Sequence, residues 1–237
     1  MSLYFLKQTV REIFLYIGNP FNIFDFSSQH LKLIELGPFD TVLHIGADIG
    51  QELALYKFIG VRRVIWIEPN RKAMLKLKIR SFFYPSLNHV FINRVISDKD
   101  NEEVTFYEFN RNGASSRFLP TSEFLKSGRR RYITKIVTYN SCTIKKALEI
   151  QRIYFQNSNN LLVIDAQCSE YSILKGFDLD LISKFDVLMC EISIDQYEVN
   201  FSPRDLINLI SKLGYKEVLK PVRKSDDAIY LKISKFF

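Results

Sequence analysis

The sequence predicts an α/β fold in which a mostly parallel sheet is covered by helices, and three observations carry that prediction. From residue 41 onward, short β-branched or aromatic runs alternate with stretches of helical period. The strand candidates 41–45, 63–67, 89–93, 161–164 and 186–190 are almost continuously apolar, as strands buried on both faces require. Finally, Val42-Leu43-His44-Ile45-Gly46-Ala47-Asp48-Ile49-Gly50, followed by Ile65-Trp66-Ile67-Glu68-Pro69-Asn70, reads as strand, glycine loop, helix, strand and acidic residue. That order builds one half of a nucleoside-binding site.

In chain order, the stretch from Leu3 to Ile17 is apolar but interrupted by Lys7, Arg11 and Glu12, which excludes a signal peptide or a membrane span. It fits an amphipathic helix whose Phe5, Val10, Phe14 and Ile17 face the body of the protein or a membrane surface. Residues 1–39 are expected to form a helical extension packed on a core domain of residues 40–237. After Glu68, Asn70 is the expected N-cap of a helix with Ala73, Leu75, Leu77 and Ile79 as its apolar residues. The stretch 103–139 breaks the α/β alternation. It begins with a strand-like run from Val104 to Phe109, turns through Asn112, Gly113 and Ser115, and continues as a basic segment to Val137. It is expected to be an insertion over the carboxyl edge of the sheet, where α/β proteins place their ligands. A later helix is capped by Ser202, with Pro203 in its first turn, Asp205 at the positive end of its dipole, and Leu206, Leu209, Ile210 and Leu213 as its stripe. Gly214 and Tyr215 stop it, and the runs 215–219 and 228–233 read as a closing hairpin joined through Lys224, Ser225 and Asp226.

At 237 residues with 47% apolar content, the chain is long enough to bury a large core as one unit. Cys142, Cys168 and Cys190 are odd in number and lie outside any metal-ligand spacing, which indicates a reducing, cytoplasmic compartment and buried small side chains. The inner membrane surface is the second location, if the N-terminal helix binds lipid. The net charge of +7 favours anionic partners, but the basic residues are dispersed except at Arg129-Arg130-Arg131 and from Lys220 to Lys224. No recognition-helix, RNP-like or zinc-finger pattern accompanies the charge, so nucleic acid is not the expected partner. His30 and His89 sit in no motif and are assigned surface or capping roles. Nothing in the sequence sets the oligomeric state.

The glycine loop narrows the choice of ligand. A dinucleotide site asks for G-x-G-x-x-G, whereas this loop is G-x-x-x-G with Asp48 at the place of the second glycine. A carboxylate there would repel a pyrophosphate. S-adenosylmethionine carries no phosphate, bears a sulfonium and an ammonium group, and needs an acceptor for its ribose hydroxyls. Asp48 and Glu68 meet those demands, the latter about twenty residues past the loop.

These residues resemble the FkbM family of S-adenosylmethionine-dependent methyltransferases, from about residue 40 to residue 233. The family's D-x-G-A-N-x-G pattern matches His44 to Gly50, its E-P matches Glu68-Pro69, its S-D matches Ser97-Asp98, and its paired-serine loop resembles Ala114-Ser115-Ser116. Its T-x-D-S resembles Thr138 to Ser141, and its I-D-x-[EQ]-G-x-E followed by L-x-G matches Ile164 to Glu170 and Leu174 to Gly176. The chain departs from the pattern at His44 (usually aspartate), Asp48 (asparagine), Asn140 (aspartate), Val163 (commonly lysine) and Cys168 (glycine).

The resemblance implies a class I methyltransferase fold: a three-layer sandwich around a seven-stranded, mostly parallel sheet with an antiparallel C-terminal hairpin. It also implies O-methylation of hydroxyls on a sugar, in a glycan or glycolipid precursor, or on a secondary metabolite. The acceptor is thus a small molecule or glycan. Cofactor contacts are expected from His44, Gly46, Ala47, Asp48, Gly50, Glu68, Pro69, Ser97, Asp98 and Asp165, and substrate contacts from Ser115 and Ser116. A hydroxyl acceptor needs a general base or a metal, and Asp165, Glu170 and Glu191 are the candidate catalytic carboxylates. Two readings stand for Glu170, a base beside Asp165 or a residue favouring a helix N-terminus. Two also stand for His44, a hydrogen-bonded core residue or a contact to the methionine end of the cofactor. Asp165 and Glu191, with Asp195 as a third ligand, form an alternative divalent-cation site. Rival functions are a degenerate binding module, with His44, Val163 and Cys168 as its marks, and methylation of nitrogen or carboxylate.

Overall fold

A computed structural model of the protein describes residues 27–110, 115–127, 132–156, 159–192, 196–221 and 227–235. The N-terminal stretch read as an amphipathic helix, the Arg129–Arg131 run, Asn112 to Ala114, Asp195 and the loop at 224–226 lie outside those residues. The chain runs α1 (Ser28–Leu36), β1 (Thr41–Ile45), α2 (Leu53–Ile59), β2 (Arg63–Ile67), α3 (Arg71–Ser81), β3 (Asn88–Ile92), β4 (Glu103–Phe109), α4 (Ser122–Ser127) and β5 (Ile133–Asn140). It continues through α5 (Ile144–Ile150), β6 (Asn160–Ile164), α6 (Glu170–Lys175), α7 (Leu179–Ile182), β7 (Val187–Glu191), α8 (Pro203–Lys212), β8 (Tyr215–Leu219) and β9 (Asp227–Lys232).

Seven strands form one sheet in the order β3-β2-β1-β6-β7-β9-β8. Pairings from β3 to β7 are parallel, and β9 runs antiparallel to both β7 and β8. The order reverses between β1 and β6, the switch point at which open α/β sheets bind ligands beyond their carboxyl ends.

Alternate residues of the buried strands feed two cores. Leu43, Ile65, Leu162 and Leu188 face α5, α6 and α8 through Leu148, Ile173 and Leu206. Val42, Trp66, Val163 and Met189 face α1, α2 and α3 through Leu33, Tyr56 and Leu77. The near-continuous apolar runs follow from this double coverage.

Asn70 caps α3 by accepting from the amides of Lys72 (2.9 Å) and Ala73 (3.2 Å). The apolar residues of α3 fall on two faces. Ala73, Met74 and Leu77 are buried, while Leu75 and Ile79 point outward. Helix α8 forms as expected, with a capping box in which Ser202 Oγ accepts from the Asp205 amide and Asp205 accepts from that of Ser202.

The insertion is more ordered than the sequence suggested. Its basic second half contains α4 and β5, and β5 pairs antiparallel with β4 in a separate two-stranded sheet. Most β5 side chains are exposed or half-buried, so the strand carries no burial pattern to read. The paired-serine loop bridges back to β4, where Ser116 exchanges backbone hydrogen bonds with Tyr107 (2.7 and 3.2 Å).

The L-x-G motif has a packing cause. A Cβ on Gly176 would stand 2.6 Å from the Ser97 carbonyl oxygen and 3.0 Å from Asp98 Cα, so the turn after α6 docks on the S-D turn after β3. Gly176→Ala is therefore expected to lower stability by about 1–3 kcal/mol through overpacking. A urea midpoint equal to that of the wild type would show that the two turns can part without cost.

Candidate active site

The carboxyl ends of β1, β2, β3 and β6 open into a cleft, at the place where open α/β sheets bind their ligands. The glycine turn, Glu68 to Asn70, Arg94 to Ile96 and Asp165 to Gln167 line it, and the insertion adds Phe106, Ser115 and Arg117.

The glycine turn is held on three sides. Gly46 has φ +86°, and a Cβ on it would stand 1.7 Å from the Asp165 carbonyl oxygen. Its amide and that of Ala47 donate to the Ile67 carbonyl (2.9 and 3.1 Å). Asp48 sits at φ +43°, a left-handed conformation that Asn and Asp tolerate best among side-chain-bearing residues. The family's asparagine and this aspartate thus answer the same backbone demand. Gly50 does not line the cleft. At φ +69°, a Cβ on it would stand 2.3 Å from Leu77 Cδ1, so it is a packing glycine for α3. From below, the buried Arg80 donates Nη1 to the Ile49 carbonyl at 2.7 Å.

Glu68 staples the same turn. Its Oε2 accepts from the Asp48 amide (2.9 Å) and its Oε1 from the Asn70 amide (2.7 Å), while the side chain borders the cleft. Each carboxylate oxygen retains a second acceptor site for a ligand hydroxyl.

Four carboxylates line the cleft: Asp48, Glu52, Glu68 and Asp165. Burial pushes Glu52 up to about 8, and the charges of Asp165 and Asp48 add to the rise. Burial does the same for Glu68, also to about 8, with Asp48 next in effect. Asp165 too is pushed up by burial. Such crowding favours a cationic ligand, which lets the acids ionise together. The donor set therefore fits the sulfonium and ammonium groups of S-adenosylmethionine, with Glu68 placed for its ribose. Glu52 was not anticipated from the sequence. Its signal was an acidic residue two positions beyond the glycine loop, indistinguishable in the sequence from any residue opening a helix. Arg94 and Arg117, also unanticipated, lie among the residues lining the same cleft.

Of the residues expected to contact the cofactor, His44, Gly46, Ala47, Asp48, Glu68, Pro69 and Asp165 line the cleft. His44 is 2% exposed beneath it, its Nδ1 2.9 Å from the Tyr56 hydroxyl and its ring against Trp66. Burial lowers its pKa to about 3, so it is neutral. It is thus a hydrogen-bonded core histidine that also borders the cleft floor. Its register partner on β6 is Val163, another of the departures from the family pattern. The family's aspartate and lysine thus fall on adjacent strands, and here both charges are replaced together. Val163 is buried in the core and lines no part of the cleft.

Ser97 and Asp98 are not brought to the cleft. Ser97 is buried, and its hydroxyl accepts from Arg117 (2.8 Å), so it acts at one remove. Asp98 turns to Lys175 (3.4 Å). Ser115 reaches the cleft, but Ser116 is buried and donates to the Gln167 carbonyl (2.7 Å), pinning the insertion to the turn after β6.

In that turn Gln167 (φ +51°) and Cys168 (φ +72°) are both left-handed, which accounts for the glycine that the family pattern has at the second position. Gln167 Nε2 donates to Asp165 Oδ1 (2.9 Å) and to Glu191 Oε2 (3.1 Å), and the Tyr197 hydroxyl donates to its Oε1 (3.3 Å). The amide nitrogen thus bridges the two acids that were candidate metal ligands. Among the described residues no group of three or more His, Cys, Asp and Glu is arranged to hold a metal ion. Glu191, 5% exposed, is pushed up by burial and then by Asp165, so the two acids ionise one at a time. Glu170 is fully buried and lines no part of the cleft. Its Oε1 accepts from the Ala166 amide (2.7 Å), so the carboxyl is turned to the strand-to-helix turn and not to the cleft.

A seven-stranded, mostly parallel sheet closed by an antiparallel hairpin, with its cleft at the switch point, is the class I methyltransferase fold. The model of the Methyltransferase FkbM domain matches residues 44–217, and the chain belongs to the FkbM methyltransferase family. Among solved structures it is similar to the methyltransferase FkbM from Methylobacillus flagellatus, with 17% identity and a TM-score of 0.50 over 93% of this chain and 47% of that one. The chain thus spans about half the length of that relative. It also resembles a TehB-like SAM-dependent methyltransferase from Corynebacterium glutamicum (10% identity, TM-score 0.44, covering 97% of this chain and 98% of that one). No curated protein matches it in sequence.

Glu68→Ala is expected to weaken S-adenosylmethionine binding by about 1.5–3 kcal/mol, the range for a hydrogen bond to a charged group, and to lower thermal stability by freeing the Asp48 and Asn70 amides. Wild-type affinity in calorimetry would remove Glu68 from the site. A second expectation follows from the raised acids. Glu52 and Glu68 have pKa values of about 8 in the ligand-free chain against 4.5 for an exposed glutamate. A bound cation favours their ionised forms, so binding at pH 7 should release protons, and affinity should rise up to about pH 8 and then level off. Binding heats measured in buffers of different ionisation enthalpy count those protons, and a count of zero would contradict this electrostatic picture. Without ligand, the same two groups make stability fall as pH rises from about 4.5 to about 8, because there the folded chain binds more protons than the unfolded one.

Proposed function

We propose that the protein is an O-methyltransferase acting on a sugar hydroxyl, in a glycan or glycolipid precursor or a secondary metabolite. The observation that supports this reading best is the Asp165 carboxylate at the cleft wall, held by Gln167 with Glu191 behind it. Bound in the cleft, S-adenosylmethionine supplies a methyl group on a positively charged sulfur.

The chain's own work is then positioning and proton removal. Asp165 accepts the proton of the acceptor hydroxyl as the new oxygen–carbon bond forms and the sulfur–carbon bond breaks. The buried Glu191 keeps its proton, which leaves the negative charge on Asp165. Gln167 donates one N–H to each acid and so fixes the free lone pairs of Asp165 toward the cleft, and Tyr197 sets which way that amide faces. Phe106, Ser115 and Arg117 cover the cleft from the insertion, where an acceptor enters. Methylation of nitrogen or carboxylate uses the same cleft, but a nitrogen or carboxylate nucleophile does not need the carboxylate base.

Labelled S-adenosylmethionine offered with a panel of glycans and with lysate identifies the product. A methylated hydroxyl supports the proposal, a methylated amine or carboxylate replaces it, and absence of cofactor binding at millimolar concentration removes it. Once an acceptor is in hand, Asp165→Asn should reduce kcat by about 10²–10⁴-fold, the range for general-base loss, with cofactor affinity changed far less. Gln167→Ala should reduce kcat by about tenfold or more and shift the pH profile. Unchanged kcat in Asp165→Asn would assign the proton elsewhere.

A further inference from the structure

Helix α3 has two apolar faces, of which the fold uses one. Ala73, Met74 and Leu77 are buried against the sheet. Leu75, Ile79 and Phe82, spaced by four and three residues, are 60%, 45% and 81% exposed. At about 100° per residue these three fall in one sector about 60° wide on the side away from the sheet. By the same spacing, Arg71 and Lys78 border that sector on one flank, with the Lys78 ammonium 5.5 Å over the Phe91 ring at the sheet edge, and Lys72 and Lys76 on the other. No acidic residue occurs in the helix, whose sequence is RKAMLKLKIRS. Its remaining basic residue, Arg80, is turned inward to the glycine turn. Phe58, at the end of α2, is 57% exposed. Lys57 lies over the ring of Tyr84 (5.9 Å), which brings the end of α2 beside the turn that follows α3.

We propose that the outer face of α3 is a docking surface for an anionic lipid bilayer. An apolar stripe bordered on both flanks by long cationic side chains is the pattern of a helix lying in a membrane interface. The apolar residues enter the acyl boundary, while Lys and Arg extend their heads to the phosphates. Charge complementarity selects this occupant over the others. A second copy, docked face to face about a twofold axis, would set the four flanking cations against their own equivalents. A nucleic acid would engage the cations but leave Leu75, Ile79 and Phe82 in water. The net charge of +7 acts in the same direction as the local one.

The placement also bears on the cleft. Asn70, the N-cap of α3, lines the cleft, and Arg71 follows it. A bilayer beneath α3 therefore lies at the cleft rim, where a lipid-linked sugar acceptor presents its hydroxyls. That last consequence rests on the O-methyltransferase reading, whereas the docking itself does not.

The test is co-sedimentation of the full chain, without cofactor, with vesicles of phosphatidylcholine alone or with about 30% phosphatidylglycerol. Binding is expected to the anionic vesicles only, and to fall about tenfold or more when salt rises from about 0.1 M to about 0.5 M. The triple variant Leu75→Ser, Ile79→Ser, Phe82→Ser and the double variant Lys72→Glu, Lys78→Glu should each lower binding about tenfold or more. Both should bind S-adenosylmethionine like the wild type in calorimetry, which shows that they are folded. Failure of the wild type to bind anionic vesicles would overturn the proposal. So would undiminished binding by the triple variant, which would move the contact to another segment. A concentration-dependent dimer of the wild type, abolished in the triple variant, would assign the stripe to a second copy instead. Loss of methyl transfer from every acceptor, with vesicle binding intact, would sink the functional reading and leave this one standing.

Discussion

The backbone contact between the glycine turn and the end of β6 is the constraint on which the site depends. Gly46 lies so close to the Asp165 carbonyl that no side chain fits between them, and this closeness brings the ends of β1 and β6 together at the switch point of the sheet. The cleft exists because the chain must leave these two strands in different directions. Once the turn is pressed there, the Asp48 amide falls within reach of Glu68, and the turns after β1 and β2 are joined by one carboxylate. Removing the glycine would displace backbone and not merely a side chain, so every residue hung from the turn would move with it.

Crowded acids follow from the same geometry. Asp48, Glu52, Glu68 and Asp165 are separated in sequence but line a single cleft, so the ligand-free protein holds protons that isolated carboxylates would have lost. In a low-dielectric site such groups favour a cation over any anion. In the proposed reaction, the acids that would hold the cofactor and the one that would take the acceptor's proton are therefore parts of one electrostatic arrangement. Gln167 sets one of them apart, because its amide engages Asp165 and, behind the cleft, Glu191.

The departures from the family pattern fall into kinds that only the register and the dihedral angles distinguish. His44 and Val163 are partners across β1 and β6 and together replace a pair of charges by a neutral, hydrogen-bonded core. Asp48 and Cys168 occupy left-handed positions, and there the backbone demand is what the family's asparagine and glycine express. Cys168 meets that demand at the expense of strain, but its side chain is buried among Phe109, Phe124 and Tyr197 beneath the insertion. In the linear sequence these four letters looked alike, each a mismatch beside a functional motif.

The sequence by itself determined the sheet, its helical cover and the family. Continuous apolar runs, a glycine spacing that rejects a pyrophosphate, and an acid at the end of β2 are local properties that burial and sterics impose on neighbouring residues. It also determined caps such as Asn70 and Ser202, whose partners lie within three residues. Only the tertiary structure decided which acids meet. Glu170 and Asp98 belong to motifs as clear as that of Asp165, yet one is buried under its helix and the other turns to Lys175. Glu52 belongs to no motif and lines the cleft. Strand β5 and the two-faced character of α3 were equally hidden, because exposed strands carry no burial period and a helix rich in apolar residues does not say which of them face inward. The physical reason is common to all of these. Parallel strands are joined by long crossovers, so the residues that share a site are distant in sequence, and their charge state and direction are set by neighbours that only the folded chain supplies.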